Sequence, residues 1–372
     1  MIPTTVAEHA VHLIIAGYNE RAILAYIRTA DNIGVDYRIV TSSSSDNIYR
    51  TKYNDNILFE RRCADLTLES IDNTLTQVRA YIGERPIVII PSTESLNRFI
   101  LDNREYYKNR DVYIPLCSKS IYTRISDKYS FDLLCKKYGI RTPVKYRDTK
   151  RFPLVAKPKQ YSMKGNIKPV IIKNNKDYQL FSNTHDIDGF YYQQYIEGES
   201  YYLLFYISDH EDVYKLSQRN IVQQGGGGSI VAAEISNLHE DEVCREYEDM
   251  LLSVGFTGLV MIELRGETRD RLYMIEANPR LWGPSQLFVD SEVNLFYPFI
   301  ADTSPICKNI KRDTPKNVKY FWKGGISEGD TNELDVVYHK NEIYFKSRYY
   351  EFLNSDIYNR ADSSEVYSHR QS

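Results

Sequence analysis

The sequence predicts a protein of mixed α/β and α+β class, with a parallel sheet near the N-terminus and antiparallel strands further along. Residues 11–17 form a buried-strand run, and a helical pattern over 20–32 leads to a second strand over 37–41. Such a β-α-β unit implies parallel strands joined by a right-handed crossover. Segment 258–284, by contrast, contains two apolar strands separated by a charged turn with one glycine, which is the pattern of an antiparallel hairpin.

The composition is that of a soluble globular protein. The chain has 372 residues, of which 42% are hydrophobic and 26% charged, enough for two or three domains with substantial cores. A net charge of −3 offers no electrostatic footprint for nucleic acid or an anionic membrane. No apolar run approaches the roughly 20 residues of a membrane span, and the N-terminus lacks the features of a signal peptide. We therefore expect neither a nucleic-acid partner nor a membrane.

The cysteines indicate a reducing compartment. They are odd in number, far apart, and without metal-ligand or disulfide spacing: Cys63, Cys117, Cys135, Cys244 and Cys307. We interpret them as reduced thiols of a cytoplasmic protein.

Loops at the ends of the N-terminal strands are candidate substrate contacts, because ligands of parallel sheets bind beyond the carboxyl ends of the strands. Those loops are Gly17–Asn19, Ser42–Ser45 and Ser92–Glu94. A dinucleotide site is not expected, since the first loop has one glycine where the fingerprint needs three. Glu94 either holds a substrate ammonium or caps the following helix.

The hairpin at 258–284 carries acidic side chains in apolar strands. If its turn is centred on Arg269 and Asp270, Glu263 lies directly opposite Glu276, and Asn278 shares a face with Glu276. Opposed like charges destabilise a strand pair unless a cation neutralises them. Two carboxylates and an amide oxygen suit Mg²⁺. An ordinary surface hairpin with solvated acids is the alternative.

Two lysines occupy positions that are unfavourable for a positive charge unless an anion binds nearby. Lys128 lies in the first turn of a helix predicted within 126–143, where a cation is unfavourable unless an anion is near. Lys157 interrupts an apolar strand over 152–158. The polar loop that follows contains Lys164 and Gly165, which would fold over phosphates through backbone N–H groups.

The segment after this loop predicts further strands. Residues 190–207 form two strands with a break between them, an arrangement that offers backbone groups to a flat base edge. A strand over 214–221 places Arg219 on one face with two other polar residues. The run Gly225–Gly228 is either a plain flexible loop or a flap that approaches a ligand, and residues 239–255 form a helix.

Taken in order, these parts resemble the ATP-grasp superfamily, and within it the carbamoyl-phosphate-synthetase-like carboxylate–amine ligases. The resemblance covers roughly residues 10–300. It is carried by DK…GIRTP (127–143), PLVAKP (153–158), QQYIEGES (193–200), FTGLVMIEL (256–264) and YMIEANPRLWG (273–283). The last motif is the most specific, because it contains the family's metal-binding E-x-N-P-R signature and is preceded by an acidic residue in the strand before it.

The resemblance implies an ATP-grasp fold behind a Rossmann-like N-terminal domain, with ATP between two α+β lobes. It implies that Lys128, Lys157, Lys164 and Gly165 contact nucleotide phosphates. Gln193, Gln194, Tyr195 and Ile196 would form the adenine hinge, with Glu199 on the ribose. Glu263, Glu276 and Asn278 would hold one or two Mg²⁺ (or Mn²⁺) ions. Arg280, Arg219 and Lys157 are the implied catalytic residues.

The chain also departs from the family pattern. The hinge begins with Gln193 and Gln194 where Glu and Lys are frequent, the phosphate loop has only Gly165, and the ribose-binding acid is either Glu199 or displaced where Ser200 stands. These departures affect the contacts to adenine, ribose and γ-phosphate.

The implied reaction joins a small-molecule carboxylate to an amine, both amino acids in the simplest case, through an acyl phosphate with release of ADP and phosphate. The alternatives are an ATP-dependent small-molecule kinase, a carboxylase or carbamoyl-phosphate-type enzyme, and an ATP sensor without turnover.

We expect four regions: an N-terminal α/β domain (1–118), a small lobe with the hinge (119–200), a large lobe with the metal site (201–310) and an extension (311–372). In the extension, VKYFW, LDVVYH and EIYFKSRYY predict short strands, and the last dozen residues predict a disordered tail. Those strands would complete a sheet, close over the acceptor site, or form a homodimer contact.

Overall fold

The structure, a computed structural model, describes residues 9–17, 19–61, 63–147, 151–159, 169–304, 315–326 and 335–369. Its strands form three sheets. In chain order they are β1 Val11–Ile15, β2 Tyr37–Thr41, β3 Ile57–Glu60, β4 Ile87–Ile89, β5 Val112–Tyr113, β6 Lys145–Tyr146, β7 Leu154–Pro158, β8 Val170–Ile172, β9 Phe190–Gln194, β10 Glu199–Ile207, β11 Val213–Gln224, β12 Ile230–Ser236, β13 Gly258–Gly266, β14 Tyr273–Asn278, β15 Lys319–Phe321 and β16 Val336–Tyr338.

The helices pack around these sheets. They are α1 Glu20–Asn32, α2 Leu68–Ile82, α3 Glu94–Asp102, α4 Arg104–Lys108, α5 Lys119–Ser126, α6 Lys128–Lys137, α7 Asn175–Thr184, α8 Glu242–Ser253, α9 Gln286–Asp290, α10 Phe296–Ala301, α11 Glu342–Ser347, α12 Tyr349–Leu353 and α13 Ser364–His369.

The N-terminal sheet is parallel, as the sequence predicts. Its order is β3-β2-β1-β4-β5, and every neighbouring pair runs parallel. Strand order therefore reverses between β1 and β4, and this reversal is the topological switch point where ligands of open parallel sheets bind.

The large antiparallel sheet has the order β14-β13-β10-β11-β12-β15, with β16 added against β11. Its two faces are buried in different cores. Tyr202, Leu204 and Met261 pack with the helices of one core, whereas Tyr201 and Leu203 belong to the other. This alternation follows from the two-residue period of a strand and decides which side chains share a face. A separate four-stranded sheet has the order β6-β9-β7-β8.

The C-terminal segment contradicts two predictions. EIYFKSRYY forms the helices α11 and α12 instead of a strand, because Asn341 caps α11 and Phe345 and Phe352 bury against Phe321 at helical spacing. The tail was expected to be disordered, but α13 lies within it and buries Val366 in the core.

Candidate active site

A cavity of about 730 Å³ lies where the three sheets converge. It is lined from the small sheet by Lys157 and Gln193, from the large sheet by Glu263 and Glu276, and by the N-terminus of α6. This size lies in the range of ligand sites, which is about 300–1,000 Å³. Most of the predicted site residues border this one space.

The parallel sheet contributes to the cavity at its switch point. Asn19, after β1, and Ser92–Glu94, after β4, line the cavity. Ser42–Ser45 follow β2, one strand away from the reversal, and do not line it. Glu94 is not the cap of α3, because Thr93 accepts the capping hydrogen bond and Glu94 pairs with Arg98. Its contact with a substrate ammonium stays a prediction.

The two acids of the hairpin stand directly opposite each other, as the sequence predicts. Glu263 of β13 pairs with Glu276 of β14, and the ladder shifts register only after Glu263. The irregularity therefore lies just beyond the acids and leaves their pairing intact. Asn278 shares the face of Glu276 and donates a hydrogen bond of 2.9 Å from Nδ2 to its Oε1.

Each opposed carboxylate has its own basic neighbour. Lys128 Nζ forms an ion pair with Glu276 Oε2, and Arg265 Nε donates to Glu263 Oε1 at 2.8 Å. Burial by itself would raise the pKa of Glu276, but the charge and hydrogen bond of Lys128 outweigh it and lower that pKa to about 2. The same pairing raises the pKa of Lys128 against its burial. Glu276 thus stays ionised although it lies opposite a second carboxyl group.

Lys157 is the third basic group of the cavity and differs from Lys128 in its partner. It is 4% exposed, and its Nζ donates to the Ile275 carbonyl at 2.7 Å. Burial, helped by the charge of Lys128, lowers the pKa of Lys157 to about 7. A basic side chain held in this way gains strongly from a nearby anion.

The predicted hinge runs from the end of β9 toward β10. Gln193 is buried and its backbone pairs with Val155, while the Gln194 N–H donates to the Val144 carbonyl at 2.8 Å. Gln194, Tyr195 and Ile196 border the same cavity as the two lysines. The hinge and the lysines thus face one space.

Arg280 follows Asn278 and borders the cavity too. Its Nη1 donates to the Leu281 carbonyl at 2.9 Å, and its Nη2 lies 3.5 Å from Asn278 Oδ1. Trp282, two residues on, is 2% exposed and lines the cavity, and no group in the described part of the chain accepts a hydrogen bond from its indole N–H.

Residues 125–284 match the family model described as the ATP-grasp domain. The chain contains an ATP-grasp domain. This identification confirms the superfamily that the sequence resembles. No curated protein is significantly similar in sequence.

Solved structures share the ATP-grasp fold over most of the chain. Biotin carboxylase from Campylobacter jejuni has 14% identity and a TM-score of 0.60, over 83% of this chain and 74% of its own. N5-carboxyaminoimidazole ribonucleotide synthetase in its ADP complex has 12% identity and a TM-score of 0.61, over 84% and 81%. L-amino acid ligase from Bacillus licheniformis has 14% identity and a TM-score of 0.61, over 84% and 79%. At these identities, the similarity shows the fold alone.

Two of the predicted site residues lie apart from the ATP-grasp cavity. Arg219 of β11 pairs in register with Tyr201, so it projects on the face opposite Tyr202 and Glu263. There it forms an ion pair with Glu199, and neither residue borders the cavity. Lys164 and Gly165 lie outside the described residues.

The sequence did not predict several polar residues of the cavity, among them two arginines and a glutamine. Arg265 and Gln223 lie on the cavity side of the large sheet, and Arg21 enters from the first turn of α1. Arg21 donates to the Ile230 carbonyl at 3.1 Å and stacks over Trp322 at 3.8 Å. Arg265 was detectable, because it lies two residues after Glu263 in the same strand. Arg21 and Gln223 carry no such local signal.

The residues present fit a hard divalent cation bound with a nucleotide. Glu263 and Asn278 are 4% and 8% exposed, and two carboxylates with an amide oxygen are the ligand type that such a cation prefers. Within the described ranges no group of three or more His, Cys, Asp or Glu could hold a metal. The third protein ligand would therefore be the Asn278 amide oxygen.

Among the helices of the described residues, none has the length and apolar character that a membrane span requires.

Proposed function

We propose that the protein is an ATP-dependent ligase that joins a carboxylate to an amine and releases ADP and phosphate. The observation that carries this proposal is the convergence of two opposed acidic side chains and two lysines on one cavity beside a predicted adenine hinge. Phosphoryl transfer needs positioning and charge neutralisation more than a protein nucleophile, and this cavity is built of charged positioning groups.

Each group of cavity side chains would bind a different part of the nucleotide or its metal ions. Gln193 to Ile196 would hold the adenine, and Lys128 and Lys157 would bind phosphates. Glu263, Glu276 and the Asn278 amide oxygen would hold one or two Mg²⁺ ions, which neutralise charge on the transferred phosphoryl group when bound. For Lys128 this means exchanging Glu276 for a phosphate as its partner.

The first chemical step breaks the bond between the γ-phosphorus and the bridging oxygen of ATP. A substrate carboxylate oxygen forms the new bond to phosphorus, and ADP leaves. Arg280, the basic residue next to the proposed metal ligands, would stabilise the negative charge on the acyl phosphate. In the second step the amine attacks the acyl carbon, loses a proton, and expels phosphate.

The substrates would bind at the switch point of the parallel sheet. Asn19, Arg21 and Glu94 line that end of the cavity together with Trp282. Arg21 suits a carboxylate, and Glu94 suits an ammonium group. An amino acid carries both groups, and we propose amino acids as the substrate class.

The test is an ADP-release screen with panels of amino acids and other small carboxylates, alone and in pairs, followed by mass spectrometry of the products. We expect release to require a carboxylate and an amine and to yield an amide. Release that requires only bicarbonate would favour a carboxylase, the activity named for one of the similar structures. If no carboxylate stimulates release above background, the proposal fails.

A further inference from the structure

A chain of hydrogen bonds joins the C-terminal segment to the proposed metal ligand Glu263. The segment β16 pairs with β11 in register, and the backbone N–H of the next residue, His339, donates to the Ile221 carbonyl at 3.0 Å. His339 is thus fixed to the large sheet although it lies 55 positions beyond the end of the family match at residue 284. It is 7% exposed.

Gln223 is the link between His339 and the cavity. Its Oε1 lies 2.8 Å from His339 Nε2 and also accepts a 2.5 Å hydrogen bond from Arg265 Nη2. Its Nε2 donates to the Gly228 carbonyl at 2.9 Å, in the glycine run that lines the cavity. One buried amide therefore holds both the arginine beside Glu263 and the backbone of the glycine run.

The imidazole and Arg265 both face the oxygen of this amide, and together they fix its orientation. Burial and the neighbouring Arg265 charge lower the pKa of His339 to about 3, so the ring is neutral at working pH and has one N–H. The ring also forms a hydrogen bond with the Gly198 backbone, and the tautomer protonated on Nε2 is the one that donates to the Gln223 amide oxygen. Arg265 has only donors, so a rotated Gln223 amide would present N–H groups to it and lose the bond.

Arg265 completes the chain. While Nη2 is held by Gln223, its Nε donates to Glu263 Oε1 at 2.8 Å, and the guanidinium and carboxylate side chains are 13% and 5% exposed. Groups behind a metal ligand that fix its orientation commonly control metal affinity. Glu263 must stay turned toward Glu276 to share a cation with it.

We propose that His339 is a positioning residue for the metal site: through Gln223 and Arg265 it orients Glu263. The inference rests on the proposed function, because it takes Glu263 as a metal ligand. Under this proposal the C-terminal extension contributes a residue that supports the metal site.

The experiment compares Mn²⁺ binding in the presence of saturating ADP, followed by electron paramagnetic resonance, with ADP binding in the absence of metal. His339→Leu removes the N–H, whereas His339→Gln retains a donor at similar reach. His210→Ala is the matched control, since His210 is exposed in the turn between β10 and β11. Circular dichroism verifies folding of each variant.

We expect His339→Leu to weaken Mn²⁺ binding by about tenfold, the lower end of the loss seen when outer groups of metal sites are removed. Metal-free ADP binding should be unchanged, His339→Gln should keep most of the Mn²⁺ affinity, and His210→Ala should match the parent. Gln223→Met removes the amide that joins His339 to Arg265, and it should lower the Mn²⁺ affinity by the same factor. It therefore tests the inference if His339→Leu does not fold.

Parent-like Mn²⁺ affinity in His339→Leu overturns the inference alone. Equal losses in the Leu and Gln variants also overturn it, because they indicate a purely structural role. A parent protein that binds no Mn²⁺ with ADP overturns both the inference and the proposed function.

Discussion

Glu263 and Glu276 face each other across neighbouring strands, and each is neutralised by a different basic side chain, Arg265 and Lys128. The two pairs are not equivalent. Both basic side chains line the cavity, but Arg265 also receives support from the Gln223 amide oxygen, whereas Lys128 comes from the N-terminus of α6. We therefore expect Arg265 to keep Glu263 as its partner and Lys128 to exchange Glu276 for a bound phosphate.

Replacing Glu276 by Gln should abolish metal-dependent turnover, because a proposed metal ligand loses its negative charge. We expect a loss of at least about a hundredfold. ADP release at saturating Mg²⁺ measures it, and a circular dichroism spectrum like that of the parent verifies that the variant folds. Turnover close to that of the parent would mean that the metal site lies elsewhere.

Nucleotide binding should take up protons through Lys157. The free protein holds this group with a pKa of about 7, and phosphate oxygens would raise that pKa, so the lysine gains a proton at about pH 8. Calorimetry in buffers of different ionisation enthalpy measures the uptake. Lys157→Met should show none, and a parent protein without uptake would contradict the assignment of Lys157 to the phosphates.

The same lysine predicts how stability depends on pH in the free protein. Between about pH 7 and pH 10 the unfolded chain holds the Lys157 proton and the folded protein does not, so unfolding takes up a proton. The free energy of unfolding should therefore rise with pH across this window, and more steeply in the parent than in Lys157→Met. Denaturant melts at several pH values measure both slopes, and identical slopes would contradict the lowered pKa.

Arg280 and Arg219 should differ sharply when each is changed to Ala. Arg280 borders the cavity, and its loss should lower turnover by about 100- to 1000-fold, as for other groups that stabilise developing charge. Arg219 lies on the opposite sheet face with Glu199 and Glu234, so its loss should lower Tm slightly and leave turnover near that of the parent. Equal losses of turnover would contradict this division.

The opposed acids could be predicted from the sequence because strand pairing has a fixed period and the turn between the strands is short. The side of the large sheet that becomes the cavity could not be predicted, since it depends on which helices cover each face. Arg219 was therefore placed in the site although its strand parity puts it with Tyr201. Ser42–Ser45 were included for a similar reason, because loop composition does not reveal strand order.

The C-terminal segment shows a different failure. Its aromatic residues suggested strands, yet Phe345, Tyr349 and Phe352 recur at helical spacing and pack on Phe321. The hydrogen bond between His339 and Gln223 joins residues 116 positions apart, and no local sequence pattern predicts such a contact.

The central claim is that a substrate carboxylate takes the γ-phosphoryl group of ATP. The most direct measurement supplies the carboxylate substrate with both oxygens labelled as ¹⁸O, together with ATP and the amine, and examines the released phosphate by mass spectrometry. An acyl phosphate intermediate transfers one labelled oxygen to each phosphate formed. Unlabelled phosphate accompanying amide formation would contradict the account.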